Sequence, residues 1–200
     1  MGEHNPSDAR CNSSGGGGGT YVTKSPYNNT SSILVIAGGG GGAGDAFTCS
    51  TDQLKGTGGS AGNDGLPGTV TTRLATIYGT GGNGGSFSSS TGASCGAGFS
   101  GNSTAYYSSS WADEAFSFIN GGQGANMDHN SCGADGGFGG GGAGAYGAGG
   151  GGGYSGGGTG DYRNPCDASG GGGGGSYNSG SSQSNTAGNW EGHGKVVIKY

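Results

Sequence analysis

Residues 136–158 read GGFGGGGAGAYGAGGGGGYSGGG, a stretch in which only four side chains are larger than a methyl group. Glycine lacks a Cβ, so such a run can form an extended polyproline-II helix with three residues per turn and no internal hydrogen bonds. The N–H and C=O groups of that helix point outwards and must bond to water or to a neighbouring segment. We therefore predict that the glycine tracts pack side by side through backbone hydrogen bonds. These tracts lie at residues 38–44, 56–68, 79–85, 136–158 and 170–175.

The composition permits two other interpretations of so much glycine. The chain has 58 Gly and 4 Pro in 200 residues, with 28% hydrophobic and 10% charged residues. A collagen triple helix is excluded because glycine occurs in runs and not at every third position. A flexible glycine/serine linker is the remaining alternative. The apolar segments between the tracts argue against it, because a solvated linker has no need of them.

Five short segments are rich in β-branched or aromatic residues, which is typical of strands. They predict an all-β chain without a confident helix. The predicted strands are residues 20–24, 32–37, 70–78, 115–119 and 195–200.

The cysteines are spread singly and show no C-x-x-C spacing, which favours disulfides in an oxidising compartment over a zinc site. We predict disulfides among Cys49, Cys95, Cys132 and Cys166, with connectivity left open. Cys11 is the odd cysteine and could pair between chains.

Four asparagines have Ser or Thr two residues later without an intervening proline, the acceptor pattern for N-glycosylation: Asn12, Asn28, Asn29 and Asn102. Together with the cysteines they predict an extracellular location, secreted or on the cell surface. The net charge of −5 and the absence of a basic cluster argue against nucleic acid as a partner. No apolar run is long enough to predict membrane insertion.

We predict no catalytic, cofactor-binding or metal site. The strand at 32–37 followed by Gly38, Gly40 and Ala43 fits the spacing of a dinucleotide-binding turn, but no helix pattern follows to hold a pyrophosphate. Asp128, His129 and Cys132 are too few for a zinc shell, and adjacent Asp and His side chains point apart in an extended chain.

The ordered glycine blocks resemble the glycine-rich domain of anaplastic lymphoma kinase and leukocyte tyrosine kinase. The resemblance spans about residues 15–200. The blocks that carry it are Gly15–Val22, Ser32–Gly42, Gly136–Gly142, Gly149–Gly158, Gly170–Tyr177 and Glu191–Ile198.

This resemblance implies a TNF-like β-sandwich with an inserted bundle of polyglycine-II helices. Residues 1–14 then form an N-terminal segment and residues 15–200 the glycine-rich domain. Family members carry further strands before the GGGGGT block, so we expect the chain to begin partway through the sandwich. Another copy of the chain, or a different chain, would supply the missing strands.

We expect a non-enzymatic structural or adhesive module, such as a repeating subunit of a surface coat or filament. The alternative is a cytokine-binding fragment of a receptor ectodomain, with a protein or glycan as ligand. Ice binding is a third interpretation, weakened by the lack of a regular Thr-bearing tripeptide.

Overall fold

The computed structural model describes most of the chain. The described residues are 12–45, 55–69, 77–86, 92–104, 111–127, 133–161 and 168–199.

A small antiparallel sheet lies beside the glycine tracts. Its strands are β1 (Thr20–Thr23), β2 (Ile33–Ala37) and β3 (Tyr177–Asn178), in the order β1-β2-β3. Only two single-turn 3-10 helices accompany it in the described residues, Thr30–Ser32 and Phe118–Asn120. The fold is therefore largely β and irregular, as predicted, with β1 and β2 where the sequence places them.

Two predicted strands are not formed. Within 115–119, the end of the segment turns into the 3-10 helix Phe118–Asn120, which Gly121 caps with a φ of 107°. Residues 195–199 form no strand and are exposed, because no neighbouring edge in the described residues pairs with them. Of the predicted strand at 70–78, residues 70–76 lie outside the described part, and Ile77 forms an isolated bridge with Ser86.

The inner face of the sheet carries an aromatic and aliphatic core. Ile33 and Ile36 are buried against Phe99 and Tyr154, and Tyr21, Phe118 and Tyr177 pack around them. The Tyr21 and Phe118 ring centroids are 4.6 Å apart, and those of Tyr154 and Tyr177 are 4.8 Å apart. Tyr154 and Tyr177 thus cover the ends of glycine runs, as their positions beside those runs indicate.

Residues 149–154 lie at the centre of the glycine tracts and show how the tracts bond. Three successive N–H groups donate to three different neighbouring segments, and the fourth returns to the first neighbour. The donors and acceptors are Gly149 to Ser14, Gly150 to Ser94, Gly151 to Gly172, Gly152 to Gly17, Gly153 to Ala97 and Tyr154 to Gly175, at 2.8–3.2 Å. The acceptors advance by three residues as the donors do, so all three neighbours run parallel to the central segment.

The carbonyl groups of the central segment bond to three further neighbours. Gly39 and Gly42 donate to Gly152 and Gly149, so segment 38–43 runs antiparallel to the central one. Segments around Gly142 and Gly157 donate to Gly150 and Gly151. The predicted tract 136–158 is therefore not one continuous helix, because the chain doubles back on either side of the central segment. Residues 147–161 and 168–175 are buried throughout.

The sheet and the glycine tracts share one register. The pair Thr20 and Ala37 ends the β1–β2 ladder. Three residues further along each segment, Gly17 donates to Gly40, and after three more Ser14 donates to Ala43. The β2–β3 pairing continues in the same way through the hydrogen bond from Gly174 to Gly39. Segment 33–43 is thus flanked by the same two neighbours along its whole length, while the bonding period changes from two residues to three.

Most glycines in these tracts leave no room for a side chain. A Cβ at Gly151 would overlap the carbonyl group of Gly39, and a Cβ at Gly173 would overlap that of Gly58. A Cβ at Gly17 would lie 3.5 Å from its nearest neighbour, the Gly40 oxygen, which is an ordinary contact. Glycine is thus required sterically at Gly151 and Gly173 and is not required at Gly17.

This difference predicts opposite effects for two Gly→Ala substitutions. Gly151→Ala should destabilise the fold by about 1–3 kcal/mol or prevent folding, because the overlap is with backbone that cannot move aside. Gly17→Ala should leave stability within about 1 kcal/mol, since alanine loses less chain entropy on folding. Thermal unfolding followed by circular dichroism measures both. Equal melting temperatures for the two variants would contradict close packing of the central segment.

Candidate interaction groove

The outer face of the sheet is open. Tyr21, Ile36 and Tyr177 are paired across the strands and point to the core, so their neighbours Val22, Val35 and Asn178 lie on the opposite face. Val35 is 42% exposed, a high value for a β-branched residue in the middle strand of a sheet. This face has no second layer of strands over it in the described part of the chain.

The outer face continues into the glycine tracts through Gly17 and Gly40. These residues are joined by a hydrogen bond of 2.8 Å from the Gly17 N–H to the Gly40 oxygen. A Cβ at Gly40 would be 3.6 Å from the Thr57 oxygen, so neither residue is glycine for steric reasons. Without side chains, this part of the face is flat.

The C-terminal segment, residues 179–199, passes over this face and is exposed at every position. Its start is held by Ser179, whose N–H and hydroxyl both lie 3.0 Å from the Leu34 oxygen. Further along, the Gly188 N–H donates to the Gly59 oxygen at 3.2 Å, and Gly194 lies against the Thr20 side chain. Trp190 orders the segment locally, because its Nε1–H donates to the His193 oxygen at 2.8 Å and Lys195 Nζ lies 5.5 Å from its ring.

A groove remains between the C-terminal segment and the outer face. Its volume is about 1550 Å³, and it is open to solvent. We call it the interaction groove. It is lined by Thr20, Val35, Ala37 and the flat glycine surface on one side, by Asn189, Trp190 and Val197 on the other, and by Phe138 at the rim. The lining consists mostly of glycine and other small residues, and its acidic and basic side chains, Glu191, His193 and Lys195, all belong to the C-terminal segment. A wide groove with such a lining is suited to packing against another polypeptide.

Tyr21 fixes the sheet to the glycine tracts. Its hydroxyl group lies 3.0 Å from the Gly153 oxygen and 3.2 Å from the Gly139 oxygen. Burial raises the pKa of Tyr21 far above its ordinary value. The residue therefore stays neutral, and its single hydroxyl hydrogen is shared between the oxygens of two glycine segments. The sequence gives one signal for this contact, which is the position of Tyr21 directly after the GGGGGT block.

Of the histidines, His193 is exposed in the C-terminal segment and lines the interaction groove. His4, Asp128, His129 and Cys132 lie outside the described residues, so the structure does not test whether they come together. Across the described ranges, no three His, Cys, Asp or Glu side chains are grouped so as to hold a metal ion. Among the same residues, no helix has the length and apolar character needed to cross a membrane.

Cys95 is a free, buried cysteine in the structure. The sequence predicts a disulfide at this residue, whereas the structure has a free thiol there, buried among the glycine tracts. Cys11, Cys49, Cys132 and Cys166 lie outside the described residues, so their pairing stays a prediction.

Comparison with known proteins gave no match: no family model, no curated protein and no solved structure is similar to this chain at a significant level. The interaction groove and the glycine tracts therefore have to be interpreted from their own chemistry.

The buried thiol predicts a loss of stability at high pH. Burial raises the pKa of Cys95 from its ordinary 9.0 to about 12, while a hydrogen bond with the Thr159 backbone acts in the opposite direction. As the pH rises from 9 towards 12, the unfolded chain loses this proton and the folded chain keeps it. The free energy of unfolding should then fall by up to about 1.4 kcal/mol per pH unit from this group.

Denaturant unfolding of the wild type and of Cys95→Ala at pH 9 and above measures this slope. The variant should lose less stability than the wild type over the first pH unit, before Tyr21 contributes. If the free energy of unfolding fell equally with pH in the wild type and in Cys95→Ala, the thiol would be shown to ionise in the folded protein. Alkylation offers an independent check, since Cys95 should react only after unfolding.

Proposed function

We propose that this chain is a non-enzymatic, extracellular structural module that assembles with further copies of itself into a coat or filament. In this proposal, the glycine tracts are a bundle of polyglycine-II helices, and the small sheet is part of a TNF-like sandwich. The three-residue period of the backbone hydrogen bonds supports the first assignment, because it equals the residues per turn of that helix. The resemblance to the glycine-rich domain of anaplastic lymphoma kinase supports the second.

The observation that carries the proposal is the exposed apolar end of the C-terminal segment beside the interaction groove. Val196, Val197 and Ile198 are 49%, 64% and 74% exposed. Burying each of them in an interface is worth about 1.5–3 kcal/mol. Within the described residues, the backbone groups of these three adjacent β-branched residues make no hydrogen bond. Such a segment forms a strand readily when a partner edge or face is supplied.

The interaction groove provides the matching surface on a second copy. We infer that residues 195–199 of one copy lie on the outer face of the next, against Val35 and the flat surface at Gly17 and Gly40. Donation from each copy to the next is a head-to-tail contact, which builds an open filament unless the rotation closes a ring. A rigid glycine bundle suits this role because its shape depends on backbone bonds and not on mobile side chains.

The alternative, a ligand-binding fragment of a receptor ectodomain, would use the same groove for a different protein. It is favoured by the family resemblance alone. The two functions differ in what the purified chain does by itself, since only a self-assembling module gains mass as its concentration rises.

Light scattering on the purified, non-reduced chain over a range of concentrations tests the proposal. We expect species heavier than the 18.8 kDa monomer. Ile198→Ser should weaken association about tenfold or more, which corresponds to the loss of one buried apolar side chain. Ile119→Ser is the matched control, because Ile119 is also exposed (40%) and lies outside the interaction groove.

A monodisperse monomer at all concentrations would overturn self-assembly and favour the receptor alternative. An equal loss of association in Ile119→Ser would place the interface elsewhere on the surface.

A further inference from the structure

The connection between β1 and β2 is an exposed loop that carries two overlapping glycosylation motifs. Residues 24–31 are exposed, and the loop is closed by a hydrogen bond of 2.8 Å from the Lys24 N–H to the Ser32 oxygen. Asn28-Asn29-Thr30 and Asn29-Thr30-Ser31 both satisfy the acceptor pattern, so the sequence alone does not choose between the two asparagines.

The side chain of Asn29 has a structural role. Its Oδ1 accepts from the Ser32 N–H at 3.1 Å and from the Ser31 hydroxyl at 2.6 Å. Asn29 is thereby the N-cap of the 3-10 helix Thr30–Ser32, and it holds Ser32 in a buried position. A glycan on Nδ2 of Asn29 would have to fit beside a side chain that is turned back onto the helix.

Asn28 has no such engagement. It is exposed, and within the described residues its side chain makes no hydrogen bond. Its Nδ2 is therefore free to carry a large substituent without any loss of native contacts.

The two remaining motifs are held more tightly than Asn28. The Oδ1 of Asn102 accepts from the Ser117 N–H at 3.0 Å and from Asn120 Nδ2 at 2.9 Å, and the adjacent Ser103 is buried. Asn12 is partly buried and engaged in an interaction. At both positions the side chain is already held by contacts that order the surrounding segments, whereas the side chain of Asn28 is not.

We propose that Asn28 is the residue of this chain that carries an N-linked glycan in the folded protein. The inference rests on the extracellular location in the proposed function. In the transfer, Asn28 Nδ2 forms a bond to C1 of an oligosaccharide as the bond from C1 to its lipid diphosphate carrier breaks. The diphosphate leaves with the electron pair, and the amide nitrogen gives one proton to solvent.

The position of Asn28 is compatible with assembly. Residues 22–34 contribute nothing to the lining of the interaction groove, whereas Gly17–Tyr21 and Val35–Gly41 do. A hydrophilic glycan at the tip of the hairpin would therefore shield one end of the module and leave the groove accessible to a second copy.

The test is secretion of the full chain from eukaryotic cells behind a signal peptide, followed by glycopeptide mapping of the folded, secreted protein. The Asn28→Gln and Asn29→Gln variants separate the overlapping motifs, because each leaves the other motif intact. We expect Asn28→Gln to lose the glycan of this loop and Asn29→Gln to keep it. After enzymatic removal of glycans, the melting temperature of Asn29→Gln should be lower than that of the wild type. The melting temperature of Asn28→Gln should equal that of the wild type.

A secreted wild-type chain without sugar at Asn28 would overturn the inference, as would a glycan that survives Asn28→Gln and disappears in Asn29→Gln. Light scattering on the same unglycosylated material distinguishes this failure from a failure of the proposed function. Self-association without a glycan refutes only the assignment of Asn28, whereas a glycosylated monomer refutes only the assembly.

Discussion

The backbone hydrogen bond between adjacent glycine segments is the interaction on which the rest of the structure depends. In most domains such bonds accompany a hydrophobic core, but here the buried residues 147–161 and 168–175 contain few apolar side chains. Ordering glycine is costly, because each residue loses about 1–2 kcal/mol of backbone entropy. The hydrogen bonds offset this entropy loss only when neighbouring segments lie on every side, as they do around Gly151. The array should therefore form cooperatively.

The aromatic cluster and the glycine array depend on each other. Phe99 and Tyr154 belong to segments that run beside or within the array, and both are buried against the inner face of the sheet. The Phe99 N–H donates to the Tyr154 oxygen at 2.8 Å, so the backbone pattern of the array places the two rings. Backbone hydrogen bonds thus position the hydrophobic core, whereas in most domains the packing of the core positions the hydrogen-bonded elements.

The sequence predicted the glycine packing well, because an all-glycine run leaves the backbone few other ways to be satisfied. It also located β1 and β2, where β-branched residues are dense. It did not predict β3, since Tyr177–Asn178 is too short to show a pattern and follows from the register of segment 170–175. The predicted strand at 195–199 is absent for the opposite reason. Its sequence has a strong strand pattern, but no pairing partner lies among the described residues. Of the groove residues, Val35 and Val197 lie in predicted strands, whereas the absence of a steric need for glycine at Gly17 and Gly40 required coordinates.

The direct contact of glycine with backbone also bears on how such a protein can change over evolutionary time. In an ordinary core, an enlarged side chain can be accommodated when a neighbour becomes smaller. At Gly151 the neighbour is the carbonyl group of Gly39, which has no smaller form. A second substitution therefore cannot make room for a larger side chain inside the array, and each of its glycines has to be retained. The fold places no such demand on residues 180–194 of the exposed C-terminal segment, so variation should concentrate there.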